Sequence, residues 1–531
     1  MQSYFFLFLL STVLAVPAAT NFSWENLTPS KDLNWVPCFG NFTCARLEVP
    51  LDYEDLDAGT TAIAFTKWSS PNKTAKDILL NPGGPGDSGV DMLIHGLSTL
   101  LQSVGTSNNL VGFDIRGVNN SGPDISCFPG SASDQKLYDA LYFNDFDTID
   151  DRELGRRWTM AEGYGKQCSK KLKGGPAKYA NTVAIAADML RYVETVESAS
   201  GGKASDAKLR FWGLSYGTIL GATFAALYPD RVDRIILDGN AEEIMYWTGT
   251  WNRTLVQADE AFNQFFKTCF EGGDACAIWE PSVELVAQRF NNLLTALSVH
   301  PISVVSDAHL PVVVTDTNLR YAFLAGLIRP IDVFPALAIA VKELEQRNGT
   351  TLAQLVGLGN VKTHFAPGEL STYVSNEAQA QISCNDQNGR IKETLYDLKS
   401  FRQYMDFARK QSAYMGDSGS YRVATSCAFY DVRPPKNQQF NAWPPSAKNT
   451  STPLLIIGNT IDPTTPIVYA REQAARFPGS VVLEQNNVGH TSLAAPSKCT
   501  AKYIQAYLND GTLPPVNTTC EVDLLPFQTA A

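Results

Sequence analysis

The chain has 531 residues, more than the roughly 100–200 of one ordinary domain, and is 44% hydrophobic and 18% charged, so it can bury a large core. This excludes a disordered chain and a small scaffold held together only by disulfides. Its 43 Lys and Arg against 54 Asp and Glu give a net charge of −11, which offers no basic footprint to a polyanion, so nucleic acid is not an expected partner.

Residues 1–19 read as a signal peptide: a long apolar run precedes a small-residue stretch, with cleavage after Ala18 or Ala19, although no basic residue comes before the run. No second run of about 18 apolar residues follows, so no membrane association is expected once the leader is removed. Strands are predicted at Thr61–Trp68, Asp77–Asn81, Leu110–Asp114, Leu209–Gly213, Arg234–Asp238, Leu454–Gly458 and Ser480–Glu484. They alternate with helical stretches, the pattern of a mostly parallel sheet with helices on both faces.

Between Asn240 and about Pro435 this rhythm gives way to helical periodicity, as in Asp259–Cys269, Ser282–Leu297 and Val333–Arg347. The expected organisation is therefore an α/β core over 20–240, a large, mainly helical cap over 241–435 and the rest of the core over 436–531. Pro-rich Arg433-Pro434-Pro435 and Trp443-Pro444-Pro445 mark the return to the core.

Glycosylation sequons begin at Asn21, Asn26, Asn41, Asn72, Asn119, Asn252, Asn348, Asn449 and Asn517, a density that suits the eukaryotic secretory route and, with the leader, predicts a secreted protein. The ten cysteines form an even set. Nearest-neighbour pairing joins Cys38 with Cys44, Cys269 with Cys276 and Cys499 with Cys520, and leaves Cys127 with Cys168 and Cys384 with Cys427. No CxxC occurs and the five histidines are scattered, so no metal site is predicted.

The sharpest motif is Gly213-Leu214-Ser215-Tyr216-Gly217, between the predicted strand Leu209–Gly213 and the helix-like Thr218–Tyr228. A sharp strand-to-helix turn crowds the backbone two residues either side of its centre, which calls for glycine there and pushes the Ser215 hydroxyl outward. A serine hydroxyl is a weak nucleophile and needs a base, and the base needs a carboxylate to fix its tautomer. In this strand order acid and base follow the serine, from loops after later strands. Asp462 follows Leu454–Gly458 and His490 follows Ser480–Glu484, so they are the predicted acid and base.

His95 precedes the serine, and His300, His309 and His364 fall in the insertion. Asp238, at the end of Arg234–Asp238, is the rival acid. Asn81-Pro82-Gly83-Gly84-Pro85-Gly86 follows another strand, where glycine lets backbone donors approach an oxyanion; the N–H groups of Gly84 and Tyr216 are the candidates. Gly-Asp-Ser-Gly at 86–89 and 416–419 copies the setting of a trypsin-type serine, but Ser88 has no histidine before it and the α/β pattern argues against that scaffold for Ser418.

Together, Leu47–Tyr53, Asn81–Gly86, Gly112–Gly117, Trp212–Gly217, Ile382–Asp386, Gly458–Pro466, Gly489-His490 and Gly511–Pro514 give a chain that resembles the secreted tripeptidyl-aminopeptidase-like branch of the α/β-hydrolase fold, related to the prolyl aminopeptidases. The resemblance implies a serine peptidase that cuts near a free N-terminus, with the insertion as a cap, and gives the same roles to Ser215, Asp462 and His490. Pro82 stands where prolyl aminopeptidases carry histidine, and Asn119 where a glycine is common after the Arg-Gly-x segment.

An exopeptidase must hold the substrate ammonium against a carboxylate; Glu242, Glu243 and Asp386 are the candidates. The expected substrate is a peptide or a small acyl compound, and no cofactor is called for, since side chains supply nucleophile and base. A carboxylesterase or amidase acting on a small molecule is the alternative, and a silent binding protein on the same scaffold the third reading.

Overall fold

The computed structural model describes residues 22–129, 131, 133–135, 137–138, 150–305, 310–358, 375–417 and 421–528. The expected leader with Ala18 and Ala19, the first sequon at Asn21, and His309, His364 and Ser418 lie outside the described residues. A ten-stranded sheet organises the chain in the order β1-β2-β3-β5-β4-β6-β7-β10-β11-β12. Its strands are β1 (Val36–Cys38), β2 (Phe42–Pro50), β3 (Thr60–Trp68), β4 (Asp77–Asn81), β5 (Asn109–Phe113), β6 (Leu209–Leu214), β7 (Val232–Asp238), β10 (Leu455–Ile461), β11 (Val481–Val488) and β12 (Thr519–Glu521), and β8 (Ile302–Val304) and β9 (Val312–Val314) form a separate hairpin. Pairing is antiparallel from β1 to β5 and parallel from β5 to β12.

All seven predicted strands are present, with edges shifted by a few residues. The parallel strands are covered on both faces, which is why Leu209–Leu214 is buried throughout and is apolar at every position but Arg210, whose charge is met by Asp233. From β4 the chain moves outward to β5, whereas from β6 it moves the other way to β7. The loops leaving β4 and β6 therefore diverge and open a crevice at the carboxyl ends of these two strands, where open α/β sheets place their ligands.

Helices α1 (Gly89–Val104), α2 (Asp151–Leu172), α3 (Thr182–Ala199) and α4 (Tyr216–Leu227) belong to the first part of the core. Helix α4 has almost no polar face and ten of its twelve residues are buried, so packing rather than propensity holds it. Gly221 brings it against the sheet, since a Cβ there would lie 2.6 Å from Leu237 Cδ2. Truncating Phe224 on this helix would cost about 3–5 kcal/mol.

Two of the family-like motifs prove to be one internal brace. The fully buried Arg116 donates from Nε and Nη2 to both oxygens of Asp188 at 2.7 Å, and to the carbonyls of Pro50 and Leu51. Tyr53 adds a hydrogen bond to Asp188 at 2.9 Å. The segment Leu47–Tyr53 is thereby fixed to the strand end at Asp114–Gly117; removing one partner would strand a buried charge.

The insertion comprises α5 (Glu243–Thr248), α6 (Ala258–Gly272), α7 (Val283–Val299), α8 (Asp316–Ile328), α9 (Pro330–Glu345), α10 (Thr350–Leu355), α11 (Ser375–Gln387), α12 (Leu398–Gln411) and α13 (Tyr421–Ala428). It divides into two packing units. Residues 255–356 build their own core around Phe262, Phe265, Phe290, Phe323 and Phe334, joined by Met415. Helices α11 and α13 instead share the main core with Tyr164 and Cys168 of α2. Helices α14 (Ile467–Arg476) and α15 (Lys498–Asp510) complete the core.

Five disulfides join the expected pairs, Cys38–Cys44, Cys127–Cys168, Cys269–Cys276, Cys384–Cys427 and Cys499–Cys520. Asn26, Asn41, Asn72, Asn348, Asn449 and Asn517 are exposed, while Asn119 and Asn252 are half-buried. Asn119 Nδ2 is engaged with Ser88 Oγ and Asp91. No helix among the described residues is long and apolar enough to cross a membrane.

Candidate active site

Strand β6 delivers Leu214 to a one-residue turn at Ser215, with φ 55° and ψ −119°, and α4 begins at Tyr216. A non-glycine residue at this φ stores strain, and it persists because its surroundings over-determine it. A Cβ on Gly213 would run into the Gly217 carbonyl, and one on Gly217 would lie 2.9 Å from the Asn81 carbonyl, so both glycines of the motif are required by close approach. The Ser215 N–H donates to the Asp238 carbonyl at 3.0 Å. The residue is half-buried and its hydroxyl makes no cap hydrogen bond.

The turn after β4 packs directly on this elbow. A Cβ on Gly83 would lie 2.7 Å from Ser215 Cβ and 3.2 Å from Tyr216 N, and Gly83 and Gly84 both hold positive φ. Tyr216 is the first residue of α4, so its N–H has no intrahelical acceptor and the helix dipole adds positive character there. Gln379 of α11 braces the turn by donating to the Gly84 carbonyl at 2.7 Å.

At the end of β10, Asp462 is fully buried and heavily hydrogen-bonded. Oδ1 accepts the N–H groups of Thr464 and Thr465 at 2.9 and 2.8 Å, while Oδ2 accepts the Thr465 hydroxyl at 2.7 Å and the Thr491 N–H at 3.2 Å. His490, after β11, places Nδ1 at 2.9 Å from Oδ2 and 3.1 Å from Oδ1. The hydroxyls of Thr464 and Thr465 lie 2.8 and 3.0 Å from the same nitrogen.

Burial works against charge on both partners, but it is outweighed. The imidazole and the backbone donors hold Asp462 below the usual carboxylate range, and Asp462, with smaller effects from Asp238 and Asp87, holds His490 above its ordinary value. The ring sits against the end of β7: a Cβ on Gly239, the residue after Asp238, would lie 3.4 Å from His490 Cε1. Among the described residues no hydrogen bond joins the Ser215 hydroxyl to the imidazole, and such bonds commonly tighten only when substrate binds.

The insertion contributes to this geometry in a way the sequence did not signal. The His490 N–H donates to the carbonyl of Ile328, the last residue of α8, at 3.0 Å. Gln257, the N-cap position of α6, bonds the Thr460 carbonyl at 3.1 Å and accepts from the Asp462 N–H at 3.4 Å. The insertion thus holds the loops that carry Asp462 and His490.

Of the expected acid partners, Asp462 is the one on His490; the rival Asp238 binds Ser492 and Trp212. The three candidates for the substrate ammonium require correction, because their carboxylates already have internal partners. Asp386 accepts from Thr182 N and Oγ1 at 2.8 and 2.6 Å and from the Tyr246 hydroxyl at 2.5 Å, and Thr182 Oγ1 also bonds the Tyr216 hydroxyl. It therefore buttresses the residue after Ser215, and burial pushes it up to about 6. Glu243 is sequestered with Arg476 and Gln473 and is pushed up to about 7. Glu242 caps α5 by accepting the Met245 N–H.

The Gly86–Gly89 segment has another use: Ser88 caps α1 and donates to Asp114 at 2.5 Å, and Asp87 is exposed with one oxygen on Ser375 Oγ at 2.9 Å. Cys127, Cys168 and Glu377 offer atoms within 4.8 Å of one another, but both sulfurs are committed to a disulfide and cannot serve as thiolate ligands. A cavity of about 270 Å³ beside Arg46, Asn120, Gln135 and Glu377 contains none of Ser215, Asp462 and His490.

The mostly parallel sheet covered by helices matches what comparison with known proteins finds. A family described as "alpha/beta hydrolase fold" matches residues 77–335, and one described as "TAP-like protein" matches residues 412–520. The chain is a serine hydrolase of the α/β-hydrolase fold. This hydrolase is 26% identical over 513 residues to the serine protease Hip1 of Mycobacterium tuberculosis, covering 92% of the chain and 91% of the relative. It is 24% identical over 514 residues to the tripeptidyl aminopeptidase of Streptomyces lividans, covering 93% and 87%. The crystal structure of an acetylester hydrolase from Corynebacterium glutamicum aligns over 89% of the chain and 95% of its own, with 14% identity and a TM-score of 0.37.

Proposed function

We propose that this hydrolase is a secreted aminopeptidase that releases short peptides from the N-termini of its substrates through Ser215, His490 and Asp462. The observation that carries the reading is the Asp462 carboxylate on His490 Nδ1, together with a Ser215 held at positive φ at the turn from strand to helix. With Nδ1–H held by the carboxylate, Nε2 is the ring nitrogen that can accept a proton. Ser215 Oγ attacks the scissile carbonyl carbon as its proton passes to Nε2, and the carbonyl oxygen becomes an oxyanion. The N–H groups of Tyr216 and Gly84 are its proposed donors. Collapse of the tetrahedral species expels the amine with the proton from Nε2 and leaves an acyl-enzyme, which water hydrolyses by the same steps.

The peptide substrate is supported by likeness to a serine protease and a tripeptidyl aminopeptidase over nearly the whole chain. Secretion is supported by the leader-like N-terminus, the sequons and the paired cysteines. The test is cleavage of chromogenic tripeptide, prolyl and N-acetylated conjugates by the secreted protein, with Ser215→Ala as the blank. Cleavage of unblocked tripeptides alone is expected; turnover only of short esters would replace the reading with an esterase.

A further inference from the structure

Asp238 is a fully buried acid that the Ser-His-Asp arrangement leaves unused. It ends β7, between the strands that carry the nucleophile and the acid. Its carbonyl accepts the Ser215 N–H at 3.0 Å. Its carboxylate accepts the Ser492 N–H at 2.8 Å and the Ser492 hydroxyl at 2.5 Å, two residues beyond His490, and the Trp212 indole N–H at 3.3 Å, three residues before Ser215. One side chain therefore ties the base loop to the nucleophile strand. Neutral groups could supply these contacts, yet the chain places a carboxylate there against its desolvation cost.

We propose that Asp238 is a positioning residue, a buried anion that fixes the His490 loop against the Ser215 elbow and supports the imidazolium from behind without occupying Nδ1. The inference rests on the triad reading above. Three carboxylates act on His490: Asp462 on Nδ1, Asp238 from β7 and Asp87 from the turn after β4; the hydroxyls of Thr464 and Thr465 are neutral. Asp87 is exposed and solvent-screened, whereas Asp238 acts through a dry interior. Burial pushes Asp238 up to about 6, with the bonds from Ser492 and Trp212 and the charge of His490 working against burial, so its anion is present at neutral pH.

The test is the second-order rate at which a fluorophosphonate labels Ser215 from pH 4.5 to 8.5, a readout that requires no knowledge of the natural substrate, for wild type, Asp238→Asn and Ser492→Ala. Asp238→Asn removes the charge, so the acid limb is expected to move down by roughly 0.5–1 pH unit, with a plateau rate about tenfold lower. Ser492→Ala keeps the carboxylate but loses a tether, so its plateau is expected to fall at least threefold with the limb moving less than in Asp238→Asn. A limb that stays in place in Asp238→Asn, or a Ser492→Ala plateau within twofold of wild type, overturns the proposal; the second result does so even if Asp238→Asn does not fold. Wild type that takes no label on Ser215 unseats the triad itself, so the two failures read differently.

Discussion

Asp462→Asn gives the most direct reading of the site, because the hydrogen bonds dictate how the amide must sit. Oδ1 accepts two backbone N–H groups, from Thr464 and Thr465 at 2.9 and 2.8 Å, which cannot rotate away. The asparagine oxygen must take that position, and its NH2 then occupies the place of Oδ2, which lies 2.9 Å from His490 Nδ1. There it donates, so Nδ1 becomes the acceptor and the ring proton moves to Nε2, the nitrogen required to take the Ser215 proton. A triad with an inverted tautomer loses on the order of 10⁴ in kcat, close to 5.5 kcal/mol. The Thr491 N–H, at 3.2 Å from Oδ2, would face a donor, which costs about 1–3 kcal/mol of stability. The assay is kcat/KM on an unblocked chromogenic tripeptide, with thermal melting to confirm the fold. A folded variant that retains more than about a tenth of wild-type activity would refute the orientation argument and pass the role of acid to another carboxylate.

Stability should fall as pH rises from about 4 to 7. Asp114, Asp238 and Asp386 are pushed up to about 6 and Glu243 to about 7, chiefly by burial, so the folded state binds more protons than the unfolded chain across that window. A melting temperature higher at pH 7.5 than at pH 5 would contradict this. Gly489→Ala should lower kcat/KM about a hundredfold, because φ is 136° and the new Cβ would lie 2.5 Å from Ala494 Cβ and 3.0 Å from Pro330 Cδ, displacing His490; steady-state kinetics within threefold of wild type would refute it. Glu243→Gln should change kcat/KM equally for free-amine and N-acetylated peptides, since the carboxylate faces Arg476 and Gln473; a selective loss on free amines would restore it as an ammonium partner.

Much of the core was legible because parallel strands covered on both faces are continuous apolar runs. The apolar stretches Phe211–Leu214, Ile235–Leu237 and Leu455–Gly458 are of this kind. The outermost strands were not: Phe42–Pro50 on the antiparallel side alternates buried and half-buried residues around Cys44 and Arg46, and Val36–Cys38 and, at the opposite edge, Thr519–Glu521 are only three residues long. Three of the insertion's helices, Ala258–Gly272, Val283–Val299 and Pro330–Glu345, were legible from periodicity, but not its division into two packing units, since periodicity names an apolar face without naming its partner.

The order of strands and the residue types at their ends were enough to nominate Ser215, Asp462 and His490, because a tight turn and late loops leave local signatures in glycine spacing and in hydrophobic runs, and the fold brings two of the three, Asp462 and His490, into contact. Which acids are free and which are committed could not be read in the same way. Glu243 and Asp386 lie beside chemistry-bearing segments in sequence, yet Arg476 and Thr182, 233 and 204 residues away, take up their charge. Only the folded chain brings such partners together, and with them Ile328 onto the His490 backbone and Asp238 onto Ser492. Hydrogen bonding acts over about 3 Å, and nothing in the linear spacing of residues encodes that distance.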